Sequence, residues 1–164
     1  MQSNHFDESG NAVMVDITAK ESGKRAARAS GSIKASGEVL DAVKAGTAKK
    51  GDVLALARVA GIMAAKRCSD IIPLAHPISL TKCAVDFIID EEKNVIIAEC
   101  TVKTEGKTGA EMEALTGVSI ALLTIYDMCK SIDKRMCIGD IHLISKQGGK
   151  SGNFSYAEEA SAGE

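Results

Sequence analysis

Residues 111–134, EMEALTGVSIALLTIYDMCKSIDK, form the stretch of the chain that decides its fold. Their apolar side chains recur at alternating spacings of three and four residues, the period of one packed face of an α-helix. This stripe comprises Leu115, Val118, Leu122, Ile125, Cys129 and Ile132. Acidic residues at the start of the stretch complement the positive end of a helix dipole. The pattern predicts one long core helix from Glu111 to about Lys134.

Two segments upstream of this helix alternate between apolar and polar residues, as half-buried strands do. They are residues 81–90, TKCAVDFIID, and residues 96–103, IIAECTVK. The polar residues 90–94 between them supply a turn. Together the three segments predict a β-hairpin directly before the long helix.

The remaining elements are shorter. Residues 24–35 predict a strand, Ser36 opens a short helix that Gly46 stops, and Asp52 is a good N-cap for a second helix. A last strand follows at about residues 137–145. The order strand, helix, hairpin, helix, strand predicts an α+β fold, a ferredoxin-like β-α-β-β-α-β sandwich with an additional N-terminal strand or short helix.

The length and composition indicate one domain. The chain has 164 residues, 45% of them hydrophobic and 26% charged, and neither a repeat nor a linker divides it. Residues 1–13 and the small, acidic residues 157–164 predict flexible ends. We therefore expect a single catalytic domain over residues 14–156.

The same sequence disfavours several classes of protein. Residues 114–126, the longest apolar stretch, are too short for a membrane span, and the polar N-terminus lacks a secretory signal, so a cytoplasmic protein is expected. Five cysteines without a CxxC pair indicate scattered core thiols, and no metal site is predicted. A net charge of −2, no Trp and 3% aromatic residues argue against a nucleic-acid partner.

Two short segments imitate a phosphate-binding P-loop. Residues 106–108 (GKT) and 149–151 (GKS) lack the upstream glycine of that motif, because Thr101 and Ile144 occupy its position. Neither is a Walker loop. Each still offers an ammonium and backbone N–H groups to a phosphate, and an ordinary turn is an equal alternative.

Asp127 and Lys130 are three residues apart and lie away from the apolar stripe of the long helix. An exposed salt bridge is the ordinary interpretation. However, the neighbours of Asp127 on this face are Ile120, Leu123 and Thr124 rather than charged residues. This second, largely apolar face predicts packing against another surface, such as a second subunit. A partly desolvated Asp and Lys there would suit acid–base chemistry.

His76 and the acids of the long helix are further candidates. His76 lies in a loop that Pro73 and Pro77 stiffen, which suits a ring that transfers protons, although a lone histidine is usually structural. Glu111 and Glu113 complement the helix dipole and could also accept hydrogen bonds from a purine- or pterin-like ring.

Six segments in the right order resemble the cyclic pyranopterin monophosphate synthases, the molybdenum cofactor biosynthesis protein C family. The resemblance covers residues 14–154. Its segments are residues 14–17 (MVDI), 50–53 (KGDV), 73–77 (PLAHP), 107–116 (KTGAEMEALT), 124–130 (TIYDMCK) and 148–152 (GGKSG).

The resemblance implies a lyase that converts 3′,8-cyclo-7,8-dihydro-GTP into cyclic pyranopterin monophosphate and releases pyrophosphate. It also implies a homohexamer, a trimer of dimers, with sites at subunit interfaces. Asp127 matches the catalytic acid/base of the family and Lys130 its partner. Substrate-binding positions match Leu74, Ala75, His76, Met112 and Glu113, with Glu111 beside them, and Lys50, Lys66 and Lys146 match basic residues of the pocket. We expect Cys in place of Ala75 in many relatives, so a thiol is not required there.

Three questions stay open at this level. No cofactor is evident, and Mg²⁺ could accompany the substrate phosphates, although no carboxylate cluster indicates it. A non-catalytic ferredoxin-like nucleotide-binding or regulatory module would keep the core and the lysines without needing Asp127. An RNA-binding module of this fold would carry aromatic residues on its central strands, where the predicted hairpin offers only Phe87.

Overall fold

The computed structural model describes residues 5–150 and 152–157, which form five strands and four helices. The strands are β1 (Gly23–Lys34), β2 (Leu80–Asp90), β3 (Val95–Gly106), β4 (Cys137–Gln147) and β5 (Phe154–Ser155). The helices are α1 (Gly37–Ala45), α2 (Val53–Lys66), α3 (Cys68–Ile71) and α4 (Glu111–Cys129). Residues 1–4 and most of the tail predicted to be flexible, residues 158–164, lie outside the described residues.

The strands form one antiparallel sheet in the order β2-β3-β1-β4-β5. β1 and β3 lie at its centre and pair along their whole lengths, from Gly23 opposite Gly106 to Lys34 opposite Val95. Helices α2 and α4 cover one face of the sheet. The predicted α+β, ferredoxin-like fold is confirmed. The strand predicted at residues 24–35 is the first strand of the sheet, and α1 is the additional short helix.

The core lies between this face of the sheet and the two long helices. Alternate side chains of the central strands point into it and are fully buried, among them Ala29 and Ile33 of β1 and Cys100 and Val102 of β3. From α4, the predicted stripe contributes Val118, Leu122, Ile125 and Cys129, which are also fully buried. All five cysteines are free thiols, but Cys137 is exposed, so the prediction that every cysteine lies in the core was wrong there.

Helix α4 is shorter than predicted. Regular helix ends at Cys129, Lys130 is the capping residue, and the extension to Lys134 was wrong. The backbone N–H groups of Ile132 and Asp133 both donate to the carbonyl of Cys129, at 2.8 and 3.2 Å, and this turn closes the helix. Ile132 consequently packs against the core from the turn rather than from the helix.

The caps of the two preceding helices differ from each other. Asp52 caps α2 as predicted, because its carboxylate accepts from the backbone N–H of Ala55 at 2.9 Å. Gly46 ends α1 in the left-handed conformation, also as predicted. Ser36 precedes α1, but its hydroxyl makes no capping hydrogen bond and has no partner among the described residues.

Two glycines let α2 and α4 approach each other closely. A Cβ added at Gly61 of α2 would lie 2.8 Å from the backbone oxygen of Gly117 and 3.2 Å from the Cβ of Ala121. On the other side of α4, a Cβ added at Gly117 would lie 2.7 Å from the sulfur of Cys100. Helix α4 is therefore held between α2 and the sheet without room for one extra methyl group.

Helix α4 has the length and apolar composition that a membrane span would need, but more than half of the tested stretch is buried inside this fold. Its apolar side chains contact the sheet and α2, which is what a core helix of a globular domain does.

We predict that Gly61→Ala lowers the free energy of unfolding by about 1–2 kcal/mol. Overpacking costs about 1–3 kcal/mol, and the better helix propensity of Ala recovers at most about 1 kcal/mol. Urea denaturation followed by circular dichroism measures the change. Gly37→Ala is the control, because the nearest atom to its added Cβ is at 3.7 Å. Equal stability of the Gly61→Ala protein and the wild type would contradict the close packing.

Candidate active site

The predicted site residues form two groups at opposite ends of α4. Lys50, Asp127 and Lys130 form the C-terminal cluster at the end of the helix. The N-terminal cluster lies at the start of the helix and beside it, and consists of Lys66, Leu74, Ala75, His76, Glu111, Met112, Glu113 and Lys146. From residue 111 to residue 127 the helix axis extends about 24 Å. One chain therefore does not bring all the predicted residues together.

Asp127 is the centre of the C-terminal cluster. Its two carboxylate oxygens accept from different ammonium groups, Oδ1 from Lys130 at 2.7 Å and Oδ2 from Lys50 at 2.8 Å. Lys50 also donates to the backbone carbonyl of Asp127 at 3.0 Å. Lys50 precedes α2 and Lys130 caps α4, so the packing of these two helices brings the lysines to the same carboxylate.

The two lysines determine the charge of this cluster. Hydrogen bonds from Lys130 and Lys50 lower the pKa of Asp127 from 3.8 to about 2. The same contact with Asp127 raises the pKa of Lys130. At neutral pH the cluster is thus one carboxylate between two ammonium groups, with a net charge of +1. In this state Asp127 can accept a proton or a hydrogen bond, and the ammonium groups can bind an anion.

The expected desolvation of Asp127 is absent from the single chain. Its side chain is 57% exposed and that of Lys130 is 51% exposed. The shift of the Asp127 pKa therefore comes from ion pairing rather than from burial. The neighbouring residue Leu123 is 52% exposed, whereas the adjacent face of α4, with Gly117 and Ala121, packs against α2 of the same chain.

Exposed apolar side chains also occur on α2. Leu56, Val59 and Met63 lie on one side of α2, and each is about half exposed. We call Leu123 and these three residues the apolar patch. Of the predicted second face of α4, Leu123 is exposed, whereas Ile120 and Thr124 are half-buried in one chain.

Glu111 opens the N-terminal cluster with an ion pair. Its carboxylate lies 3.6 Å from the ammonium of Lys146, which β4 contributes. A Cβ at Gly109 would collide with this carboxylate, so the glycine before the helix makes room for it. Met112, the next residue, is 39% exposed and points away from the core.

Glu113 differs from Glu111 because it is buried, with only 4% of its surface exposed. Burial raises its pKa, and a hydrogen bond with the thiol of Cys68 opposes this shift. The sulfur of Cys68 also lies 3.5 Å from the hydroxyl of Thr116. Glu113 is therefore part of a buried polar group beneath the surface of the cluster.

The loop of Leu74, Ala75 and His76 is half-buried, and His76 shares a cleft with residues 104–108, which lead into α4. Ala75 donates its backbone N–H to the carbonyl of Ile72 at 3.1 Å, which fixes a turn before the histidine. Nε2 of His76 lies 2.7 Å from the carbonyl oxygen of Val15. The cleft has a volume of about 510 Å³, and its walls also include Met14, Ile17 and residues 77–79.

Lys66 completes the N-terminal cluster from the last turn of α2. A hydrogen bond with Cys100 lowers the pKa of Cys83, and the positive charge of Lys66 lowers it further. Lys66 therefore lies close to the first half of β2. Its exposed ammonium stays available to an anion on this side of the molecule.

Two basic residues of this region were not predicted as site residues. Lys107 lies before α4 and donates to the carbonyl of Thr18 at 2.6 Å. Arg25 of β1 donates from Nε to the carbonyl of Gly106 at 3.1 Å. Lys107 belongs to residues 106–108, for which the sequence predicts phosphate binding and an ordinary turn equally, whereas the sequence contains no local signal for Arg25.

Among residues 5–150 and 152–157, no three His, Cys, Asp or Glu side chains are arranged to hold a metal ion. The charged groups that the two clusters present are mainly lysines. They suit an anionic ligand directly.

Comparison with known proteins identifies the family of this chain. The MoaC family model matches residues 14–149. The chain belongs to the MoaC family. A cyclic pyranopterin monophosphate synthase of Clostridium perfringens is 59% identical over 93% of this chain and 96% of its own length. Proteins of the same name from Roseiflexus sp. and Pelobacter propionicus are 57% and 52% identical, over 92% and 96% of this chain and 95% and 99% of their own lengths. The family resemblance inferred from the sequence is confirmed.

We predict that Lys130→Met raises the pKa of Asp127 from about 2 towards 3.8, and that Lys50→Met does so less. Because the folded-state pKa is depressed, the ion pairs stabilise the fold above about pH 4. This contribution is lost as the pH falls through about 2.

A ¹³C NMR titration of the Asp127 carboxyl group measures the pKa. Lys49→Met is the control, since among the described residues the carboxylate contacts only Lys50 and Lys130. An unchanged midpoint in Lys130→Met would contradict the assignment of the shift to this ion pair.

Proposed function

We propose that this chain is a cyclic pyranopterin monophosphate synthase of molybdenum cofactor biosynthesis. It acts as a phosphorus–oxygen lyase that converts 3′,8-cyclo-7,8-dihydro-GTP into cyclic pyranopterin monophosphate and releases pyrophosphate. The observation that carries the proposal is the C-terminal cluster, in which two lysines hold Asp127 ionised, in a chain of the MoaC family.

The charges of the clusters fit this reaction. Closing the cyclic phosphate forms a new O–P bond, breaks the bond to pyrophosphate and releases the proton of the attacking hydroxyl. Ionised Asp127 can accept a proton, and Lys50 and Lys130 can stabilise the negative charge of the transferred phosphate or the leaving group. Lys66 and Lys146 supply further positive charge at the other end of α4, and Glu111 can accept hydrogen bonds from the N–H groups of the substrate ring. Glu113 lies beneath this surface and is only 4% exposed in one chain.

We further propose that each active site combines the C-terminal cluster of one subunit with the N-terminal cluster of another. The separation of about 24 Å along α4 is too large for side chains of one chain to surround one small substrate. A second subunit in the proposed homohexamer, a trimer of dimers, solves this geometric problem. The apolar patch of Leu56, Val59, Met63 and Leu123 is the surface that supports subunit contact.

The expected setting of the enzyme is also part of the proposal. The composition of the chain agrees with a cytoplasmic protein that has no nucleic-acid or membrane partner. The substrate of this protein would be a phosphorylated purine derivative. Lysines are the charged groups offered to the triphosphate, and Mg²⁺ bound to the substrate phosphates would add to their charge.

Two alternatives have less support. A non-catalytic nucleotide-binding module has no use for a carboxylate beside two lysines that bind an anion, because Asp127 removes one positive charge from the cluster. For an RNA-binding module, the one aromatic residue of the hairpin, Phe87, packs against the core with Arg58 over its ring. It therefore provides no stacking platform on the open face of the sheet.

We predict that Asp127→Asn reduces turnover by roughly 10²–10⁴-fold, because the amide cannot accept a proton, and leaves the fold intact. The assay incubates the protein with 3′,8-cyclo-7,8-dihydro-GTP and follows product mass and pyrophosphate. Asp86→Asn is the control, since Asp86 is another exposed, ion-paired aspartate, 2.8 Å from Arg58. Equal product formation by Asp127→Asn in a single turnover would disprove the catalytic role of Asp127.

Mixing two inactive variants tests the shared site. We predict that Asp127→Asn and His76→Ala, each inactive alone, regain activity when they are unfolded together and reassembled. With random mixing, roughly a quarter of the sites combine an intact N-terminal cluster with an intact C-terminal cluster from different chains. Mixed oligomers, confirmed by mass, that remain inactive would contradict a site shared between subunits.

A further inference from the structure

A short N-terminal segment crosses the cleft of the N-terminal cluster. We call residues 14–18, MVDIT, the strap. Met14 and Ile17 line the cleft, and two side chains of the opposite walls bind the backbone of the strap. His76 contacts the carbonyl of Val15 at 2.7 Å, and Lys107 donates to the carbonyl of Thr18 at 2.6 Å. The strap is thus attached at both ends by side chains of the candidate site.

The strap keeps its shape through its own aspartate. Oδ1 of Asp16 accepts from the backbone N–H of Thr18 at 2.8 Å, and Lys20 donates its backbone N–H to the carbonyl of Ile17 at 3.0 Å. These two contacts form a turn that directs the carbonyl of Thr18 towards Lys107. Asp16 therefore determines the position of the strap without contacting His76 itself.

The contact with Val15 defines the tautomer of the neutral His76 ring. A carbonyl oxygen can only accept a hydrogen bond, so Nε2 of His76 must carry the hydrogen. In the neutral ring the other nitrogen, Nδ1, is then unprotonated and can accept a hydrogen bond or a proton. No hydrogen bond occupies Nδ1 in the part of the chain that the structure describes.

His142 shows that this protonation is a property of the site rather than of histidines in this fold. Its Nδ1 lies 2.7 Å from the carbonyl oxygen of Asp140, so His142 carries its hydrogen on Nδ1. The two histidines therefore have opposite tautomers when neutral, and each is fixed by a backbone carbonyl.

We propose that the strap is a positioning element of the active site. By holding Nε2–H of His76 with the carbonyl of Val15, it presents unprotonated Nδ1 to the substrate as an acceptor for an N–H or O–H group. The proposal rests on the proposed function for the identity of the substrate, but the tautomer and its cause are properties of the protein alone. Val15 and Asp16 act through His76, and Lys107 keeps the strap in place.

The proposal also gives Lys107 a specific role. A lysine at the mouth of an anion site is usually assigned to phosphate binding. Here its ammonium already donates to Thr18, and in the single chain it anchors the backbone that controls His76. Loss of this anchor should change the tautomer of the His76 ring. Loss of a phosphate contact alone would leave the tautomer unchanged.

Nuclear magnetic resonance of ¹⁵N-histidine-labelled protein tests the proposal. The chain has three histidines, and at a pH where the rings are neutral His142 serves as an internal reference for the Nδ1–H tautomer. For the wild type we expect His76 as the Nε2–H tautomer with a slowly exchanging ring proton. Asp16→Ala should lose this slow exchange and shift Nδ1 towards the average of two tautomers. Lys107→Met should have the same effect, and it replaces Asp16→Ala in the experiment if that variant does not fold.

The matched control is Asp7→Ala. Asp7 forms the same kind of turn, accepting from the backbone N–H groups of Ser9 and Asn11 at 2.9 and 2.8 Å, but it does not line the cleft. This variant should leave the His76 signals unchanged. A wild-type His76 with its hydrogen on Nδ1, or equal effects of Asp7→Ala and Asp16→Ala, would overturn the proposal.

Kinetics separate this proposal from the proposed function. If both hold, Asp16→Ala lowers kcat by roughly 10–100-fold, the range seen when an outer group that orients a metal-ligating histidine is lost, with little change in KM. Unchanged kcat, together with the altered His76 signals, would overturn positioning. A wild type that forms no cyclic pyranopterin monophosphate, with the expected His76 signals in every variant, would reject the proposed function and keep the strap as the determinant of the tautomer.

Discussion

The contact of Gly117 with Cys100 on one side and Gly61 on the other is the constraint on which the rest of the structure depends. It places α4 between the sheet and α2 with no space for an added methyl group. Protein interiors are close-packed, so a helix held in this way cannot slide or rotate without disturbing both neighbours. Because the two residue clusters lie at the two ends of α4, this packing also determines where each of them is presented.

Some of the charged residues at the ends of α4 stabilise the helix, whereas one of them does not. Acids at the start and lysines at the end of a helix complement its dipole, so Glu111 and Lys130 also stabilise the helix. Asp127 is different, because a carboxylate in the last turns of a helix opposes the dipole. Its pairing with Lys50 and Lys130 offsets that cost, but omission of the carboxylate would avoid the cost altogether. A chemical role therefore explains the presence of a carboxylate at residue 127 better than a contribution to the stability of the fold does.

Periodicity predicted the elements of the fold well, whereas features that depend on contacts between distant segments escaped it. The stripe from Val118 to Cys129 and the hairpin alternation are local patterns, and both were confirmed. The end of α4 was predicted too late, because Ile132 continues the apolar spacing although the backbone has already turned at Cys129. The pairing of Lys50 with Asp127 and the contact of Val15 with His76 join residues far apart in the sequence, and no spacing rule indicates them.

The exposure of Asp127 in a single chain has a consequence for an assembled site. Burial alone would raise the pKa of a carboxylate, whereas two ammonium groups within 3 Å lower it, and both effects grow as the effective dielectric constant falls. In the single chain the second effect dominates, since each lysine pairs directly with one oxygen of the exposed carboxylate. Asp127 would stay ionised beneath a covering subunit as long as the attraction of the two charged lysines exceeds the cost of desolvation. The site would then keep an ionised acceptor beside two cations, a combination that suits a cyclisation that releases pyrophosphate.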